Sequence, residues 1–128
     1  MKLLLDTAAV LWIASDDLKL SKAARDAYED PLNTVYVSVI SVWEILVKNR
    51  LGKLPLPTSV EELLRPMQSD GGVAILALKQ SAVLQLNKLP DLHRDPFDRM
   101  LLCQAIDEDL VIVTPDQIVR NYAVRSIW

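Results

Sequence analysis

Four carboxylate side chains of this sequence follow a common pattern. Asp6, Glu44 and Asp116 lie at or just beyond the end of an apolar, strand-like segment. Asp98 opens the helix that leads into the last of these segments. Carboxylates within about 4–6 Å of one another repel, which raises their pKa values and costs stability. A divalent cation removes that cost, and all-oxygen ligands suit hard ions such as Mg²⁺ or Mn²⁺. If the fold brings the four acids together, the pattern predicts a site for such an ion.

Each acid also has a purely structural interpretation. Glu44 is the third residue after Ser41, where a capping-box glutamate bonds to the amide of the capping residue. Asp98 stands in the same relation to Asp95. The other two acids suit a helix start, where the helix dipole favours negative charge by about 0.3–1 kcal/mol. Taken singly, each acid is explained as well by a helix start as by a functional site.

Apolar runs alternate with helical patterns along the whole chain. Strands are predicted at 3–5, 34–39, 73–78, 110–113 and 124–127. Runs without polar alternation suit strands buried on both faces of a sheet. The alternation predicts an α/β fold, a three-layer sandwich in which helices cover both faces of a central, mainly parallel five-stranded sheet. Because parallel strands end at one edge, the acids are expected to meet there.

Helix starts and ends are marked by capping residues and prolines. The predicted helices cover 8–13 after Asp6 or Thr7, 22–28 after Ser21, 42–51 after Ser41, 59–68 after Thr58, 80–87, a segment from Pro96, and a short segment from Asp116. Gly52 is expected to close the third helix in the left-handed conformation. Thr58 and Glu61 form a second predicted capping box.

Composition limits the class of protein. The chain has 128 residues, of which 51% are hydrophobic and 24% charged, as expected for one globular domain spanning 1–128. Its net charge of −3 gives no electrostatic indication of nucleic acid binding. The single cysteine, Cys103, is expected to pack in the core of a reduced protein. Asp6 interrupts the first apolar run, which argues against a signal peptide or membrane span. A soluble, cytoplasmic protein is expected.

Other side chains offer weaker functional signals. His93 lies in a polar connector, where a solvated role is favoured over catalysis, and no serine, histidine and aspartate set is evident. One histidine and one cysteine at unrelated positions also give no zinc-ligand spacing. Among the cations near the acids, Arg94 and Arg99 are the best candidates for contact with a phosphate group of a ligand. Trp12 and Trp43 are expected to serve core or dimer packing rather than base stacking.

Several short motifs occur in a specific order. They are LLDT at 4–7, VWEI at 42–45 followed by RLGKL at 50–54, HRDPFDR at 93–99 and VTPD at 113–116. In this order and spacing the chain resembles the PIN-domain family and, within it, the VapC-type toxins of bacterial toxin–antitoxin pairs. The resemblance runs from the first residues to Trp128. Any one motif is common, but the ordered set is specific.

The resemblance implies a Mg²⁺- or Mn²⁺-dependent endoribonuclease. The acidic positions of the family fall on Asp6, Glu44, Asp98 and Asp116. The three aspartates are expected to hold metal, with the glutamate as a ligand or water-orienting base. Asp95 would support the start of its helix, and Thr7 or Thr114 would hydrogen-bond an acid or a water. A homodimer and a silencing antitoxin are also implied. Ala8 departs from the pattern, because relatives often carry histidine there.

Two alternatives remain at this point. A catalytically silent PIN-like module would keep the fold and bind RNA or protein without cleaving it. A phosphoacceptor receiver domain has similar length and alternation, but it needs paired acids after the first strand and a lysine after the fifth. The chain has Asp6 followed by Thr7 and ends in Ser126, Ile127 and Trp128, which disfavours the receiver domain.

Overall fold

The computed structural model describes residues 1–128 and has a five-stranded sheet at its centre. The strands are β1 (Lys2–Leu5), β2 (Thr34–Ser38), β3 (Ala74–Leu76), β4 (Val111–Val113) and β5 (Ser126–Ile127). Their order is β3-β2-β1-β4-β5, and every neighbouring pair is parallel. The predicted α/β architecture is confirmed. A receiver domain has the strand order 2-1-3-4-5, so this sheet differs from it in topology.

Helices connect the strands and cover both faces of the sheet. They are α1 (Thr7–Ala14), α2 (Lys22–Glu29), α3 (Val39–Arg50), α4 (Val60–Ser69), α5 (Gln80–Leu84) with a 3-10 turn at Gln85–Asn87, α6 (Pro96–Glu108) and α7 (Gln117–Arg120). No helix has both the length and the apolar character needed to cross a membrane.

Alternate residues of β1 point into two different cores. Leu3 and Leu5 belong to a cluster that includes residues of α1, α2 and α4, whereas Leu4 belongs to a cluster built largely on α6. All three leucines are fully buried, as expected for a central strand covered on both sides. Cys103 lies in the second cluster and is fully buried, in agreement with its predicted packing role.

The strand order reverses direction at β1. The chain moves from β1 to β2 and β3 on one side, then crosses to β4 and β5 on the other. In open α/β sheets, ligands bind in the crevice at the carboxyl ends of the strands where such a reversal occurs. The residues that follow β1 and β4, beginning with Asp6 and Thr114, therefore border the expected ligand crevice.

Two predicted helix caps are wrong, and one correction bears on function. Ser38, not Ser41, caps α3, and its hydroxyl accepts the amide of Ile40. Strand β2 passes directly into α3, so the earlier serine reaches the free amides first. Glu44 consequently lies in the second turn and has no capping role. Helix α4 is likewise capped by Ser59 and not by Thr58.

Candidate active site

A cleft of about 520 Å³ opens at the carboxyl ends of β1 and β4. It brings together all four acids singled out from the sequence. Asp6, Glu44, Asp98 and Asp116 line it, together with Thr7, Asp95, Lys48 and Lys53. The acids come from the starts of α1, α6 and α7 and from the second turn of α3. Convergence on one edge of the sheet, predicted from the strand pattern, is what the structure shows.

Asp6 is buried and accepts hydrogen bonds through both of its carboxylate oxygens. It is 5% exposed and caps α1, since its Oδ1 accepts the amide of Ala9 at 2.8 Å. Its Oδ2 accepts the hydroxyl of Thr114 at 2.5 Å. Burial raises the pKa of Asp6 to about 6, against the opposing effect of these hydrogen bonds. The negative charges of Asp116 and Glu44 add to the rise. Asp6 therefore both starts the helix and faces the other acids.

Glu44 is held between a hydroxyl and an ammonium group. The hydroxyl of Thr7 donates to its Oε1 at 2.6 Å, and Lys48, one turn along α3, forms an ion pair with its Oε2. The Glu44 side chain is 6% exposed, whereas that of Lys48 is 40% exposed. The hydrogen bond to Glu44 raises the pKa of Lys48 above its ordinary value. Lys48 is thus a counter-ion within the acidic cleft.

Asp98 occupies the first turn of α6, behind the cap formed by Asp95. Oδ1 of Asp95 accepts the amides of Phe97 at 2.8 Å and Asp98 at 3.2 Å, which fixes the start of the helix. Burial raises the pKa of Asp98 to about 7, and the nearby charge of Asp95 adds to the effect. Asp95 therefore lies at the start of α6, where it is expected to support the helix.

His93 is placed differently from its expected solvated position. Its side chain is 10% exposed, and its Nε2 lies 2.9 Å from Oδ2 of Asp116 and 3.2 Å from Oδ2 of Asp98. The connector folds back because the hydroxyl of Tyr122 accepts the amides of Leu92 and His93. Polar composition suggested solvent exposure, but contacts with a residue 29 positions away decide the geometry. The sequence signal available was the spacing of His93, two residues before a helix cap.

Asp116 links α7 to this histidine. Its Oδ1 accepts the amides of Ile118 and Val119, and its Oδ2 lies beside His93. Burial alone would raise the pKa of Asp116, but the hydrogen bond to His93 and those from the two amides outweigh it and lower the pKa. The hydroxyl of Thr114 also accepts the amide of Asp116 at 3.0 Å. Thr114 therefore touches two of the four acids.

The basic side chains that line the cleft are lysines. Lys48 and Lys53 border it, whereas Arg99, expected to contact RNA, has its side chain 16% exposed and bound to the connector. Its guanidinium donates to the carbonyl of Pro90 at 3.0 Å and pairs with Asp91 at 3.2 Å. Arg94 is exposed on the same connector. The side chain of Arg99 thus binds the connector to α6.

Both tryptophans singled out from the sequence pack against aromatic neighbours. Trp12 lies 5.6 Å from Trp128, centroid to centroid, and Trp43 meets the ring of Phe97 edge-on at 4.9 Å. Trp43 remains 57% exposed and lines an apolar groove of about 540 Å³ between α3 and α4. Neither tryptophan lines the acidic cleft.

The donor set fits a hard divalent cation. Five carboxylate residues line one cleft, and burial with mutual repulsion raises the pKa values of Asp6 and Asp98. A bound cation would relieve that repulsion. Ligand atoms of His93, Asp98 and Asp116 lie within 4.8 Å of one another. The chemistry that such a cleft supports is binding and hydrolysis of a phosphate ester with a metal ion.

Comparison with known proteins gives a family and a fold. A family model described as the PIN domain matches residues 3–125. VapBC2 from Rickettsia felis, solved with a promoter DNA fragment, is similar in structure with a TM-score of 0.72 at 16% identity over 100% of both chains. DNA-bound VapBC from Salmonella typhimurium has a TM-score of 0.67 at 17% identity, covering 98% of this chain and 96% of that one. VapBC-1 from nontypeable Haemophilus influenzae has a TM-score of 0.63 at 18% identity with the same coverage. No curated protein matches the sequence significantly.

Proposed function

This chain belongs to the PIN-domain family, and on that premise we propose that it is a metal-dependent endoribonuclease, the toxin of a toxin–antitoxin pair. The observation that carries the proposal is the convergence of five carboxylates, among them the four acids of the sequence pattern, and two lysines in one cleft at the point where the strand order reverses. Structural similarity to VapBC proteins and the ordered sequence motifs support the same assignment.

Asp6, Asp98 and Asp116 would hold Mg²⁺ or Mn²⁺, the ions that prefer such oxygen ligands. When bound, the ion would lower the pKa of a water molecule and stabilise negative charge on the phosphate. The protein's own part is to hold these carboxylates in fixed positions beside one another. The hydroxyl of Thr114 orients Asp6, and hydrogen bonds from the backbone amides at the start of α7 orient Asp116.

Glu44 is the proposed proton acceptor. Its Oε1 is engaged by Thr7, which leaves Oε2 as the oxygen that meets water or substrate once Lys48 moves. A general base must lie within hydrogen-bond reach of the proton it removes, and the buried position of Glu44 on the cleft wall is suited to this. Lys48, more exposed than its partner, is free to contact a phosphate of the RNA. Lys53 offers a second positive charge on the same wall.

The local charge pattern explains how an acidic protein would bind RNA. The net charge of −3 would repel a polyanion. The two lysines that line the cleft would offset the phosphate charge of the RNA at the place where it binds. A metal ion would add positive charge at the same place. We propose Lys48 and Lys53 as the main phosphate contacts of the chain, in preference to Arg99.

Partners follow from the same assignment. VapBC proteins are the structures that this fold resembles, and we propose a cognate antitoxin and a homodimer for this chain as well. An apolar surface is available for such contacts between α3 and α4. There Val39, Trp43 and Leu46 are 36%, 57% and 47% exposed. The proposal includes a cytoplasmic location and a single domain across 1–128.

Cleavage of a mixed RNA pool, with fragment ends sequenced, tests the function. We expect discrete fragments with Mg²⁺ or Mn²⁺ and none with EDTA. Asp98→Asn and Glu44→Gln should abolish cleavage while the fold is retained. Asp70→Asn is the matched control, because Asp70 is exposed and lies outside the cleft. Binding of RNA without any metal-dependent cleavage would instead identify a silent binding module.

A further inference from the structure

We propose that His93 is a positioning residue of the acidic cleft, which donates its Nε2–H to Asp116, beside Asp98, and does not bind the metal ion. The proposal rests on the function proposed above, which supplies the metal. It gives a role to a side chain that the hydrolytic chemistry does not otherwise need. It also decides between two uses of an imidazole beside carboxylates, as a metal ligand or as a hydrogen-bond donor.

The tautomer of His93 follows from a backbone contact. The amide N–H of Asp95 points at Nδ1 of His93 at a distance of 3.0 Å. A backbone amide is always a donor, so Nδ1 must offer its lone pair. A neutral imidazole carries one N–H, which must then be on Nε2. The backbone of the connector thus determines the tautomer, in which the nitrogen that faces the acids, Nε2, carries the proton.

Nε2 faces two carboxylate oxygens. It lies 2.9 Å from Oδ2 of Asp116 and 3.2 Å from Oδ2 of Asp98. A nitrogen that bears hydrogen has no lone pair for a metal ion. Coordination through Nε2 would require the proton to move to Nδ1, where it would meet the N–H of Asp95 and leave a buried donor without a partner. The position of His93 beside the two acids is therefore explained by its hydrogen bond to Asp116.

The ring is also fixed from behind. The hydroxyl of Tyr122 accepts the amide of His93 at 2.8 Å and donates to the carbonyl of Pro90 at 2.6 Å. The guanidinium of Arg99 donates to the carbonyl of His93 at 3.3 Å. These contacts hold the backbone on both sides of the imidazole. The position of Nε2 beside Asp98 and Asp116 is consequently set by the fold.

Such outer hydrogen bonds orient metal-binding side chains, and their loss typically costs about 10–100-fold in metal affinity or activity. We expect His93→Ala to lose that factor in Mn²⁺ affinity and in cleavage rate. His93→Gln can place an amide N–H near the Nε2 position, so it should recover most of both. If His93 were a ligand, its removal would weaken Zn²⁺ and Ni²⁺ far more than Mg²⁺ or Mn²⁺, because imidazole prefers the former. A positioning role predicts equal loss for all four ions.

Because His93 is the only histidine, nitrogen NMR of the imidazole reads its state without assignment ambiguity. The wild-type protein is measured without metal and with saturating Mg²⁺. We expect the neutral Nε2–H tautomer in both samples. An Nδ1–H tautomer, or loss of the Nε2 proton on adding Mg²⁺, would overturn the proposal. This result does not depend on cleavage, so a protein that shows the expected tautomer but cuts no RNA would refute only the proposed function.

Discussion

The hydroxyl of Thr114 reaches across 108 positions of the sequence to donate a 2.5 Å hydrogen bond to Oδ2 of Asp6. The same hydroxyl accepts the amide of Asp116. One small side chain at the end of β4 therefore holds the acid at the end of β1 and the turn that carries a second acid. This contact joins the two strands at which the sheet changes direction.

Thr114→Val should weaken the site while keeping the volume of the side chain. Asp6 would lose the hydrogen bond that lowers its pKa, so that pKa would rise further above about 6. We expect a loss of about 10–100-fold in Mn²⁺ affinity, measured by calorimetry at pH 7. Thr114→Ser keeps the hydroxyl and is the matched control. Equal affinities for the valine and serine variants would contradict the role of the hydroxyl.

Without metal, the protein should lose stability as the pH rises from about 4 to about 7. The folded-state pKa values of Asp6 and Asp98 are raised from 3.8 to about 6 and about 7, so the folded state holds protons that the unfolded state has released. The rise for Asp6 alone corresponds to roughly 3 kcal/mol. Asp116, whose pKa is lowered, acts in the opposite direction, but only at more acidic pH.

Thermal unfolding in EDTA measures this effect. We expect Tm to fall by more than about 10 °C between pH 4.5 and pH 8. Saturating Mn²⁺ should reduce the fall, because an ion that binds only the folded state stabilises it. A Tm that rises over the same pH range in EDTA would show that ionisation of Asp6 and Asp98 does not destabilise the folded protein.

Asp98→Asn should remove activity and increase the stability of the metal-free protein. Asp98 lies in the first turn of α6, where the helix dipole favours its charge by only about 0.3–1 kcal/mol. The raised pKa shows that burial and the charge of Asp95 outweigh this benefit. At pH 8 in EDTA we expect a Tm a few degrees above wild type, with no cleavage at any metal concentration. Lower stability together with lost activity would indicate a folding defect.

Lys48→Met should separate metal binding from RNA binding. The ion pair with Glu44 places a protein cation in the acidic cleft, so its removal should strengthen Mn²⁺ binding several-fold. The loss of a phosphate contact should raise KM for RNA and reduce the salt dependence of binding by about one unit of slope. Lys53→Met, at a lysine without an ion pair, should change only KM and the salt slope. Unchanged Mn²⁺ affinity in Lys48→Met would refute competition by Lys48.

Much of the fold was predictable because its signals are local. The apolar run before Asp6 and the proline after Asp95 specify a strand end and a helix start within a few residues. Those two predictions place the acids at one sheet edge without further information. The cap of α3 was less determined, because Ser38 and Ser41 both suit a helix start. The position of Glu44 depended on that choice.

The conformation of the connector before α6 cannot be predicted from local sequence patterns. Its polar residues resemble a solvated loop, yet Tyr122 and Arg99 fold it onto the cleft through backbone carbonyls and amides. Such contacts have no signature in a single sequence, since backbone groups are the same for every residue. For this reason local polarity predicts a solvated His93 and gives no sign that the side chain of Arg99 binds the connector.

The central position of β1 in the sheet has a consequence during protein synthesis. Asp6 is synthesised well before the residues of α6, β4 and α7 that line the same cleft. A nascent chain that ends before β4 lacks both Thr114 and Asp116, so the proposed metal site is incomplete in it. The proposed cleavage of RNA would therefore require that α6, β4 and α7 have folded against β1.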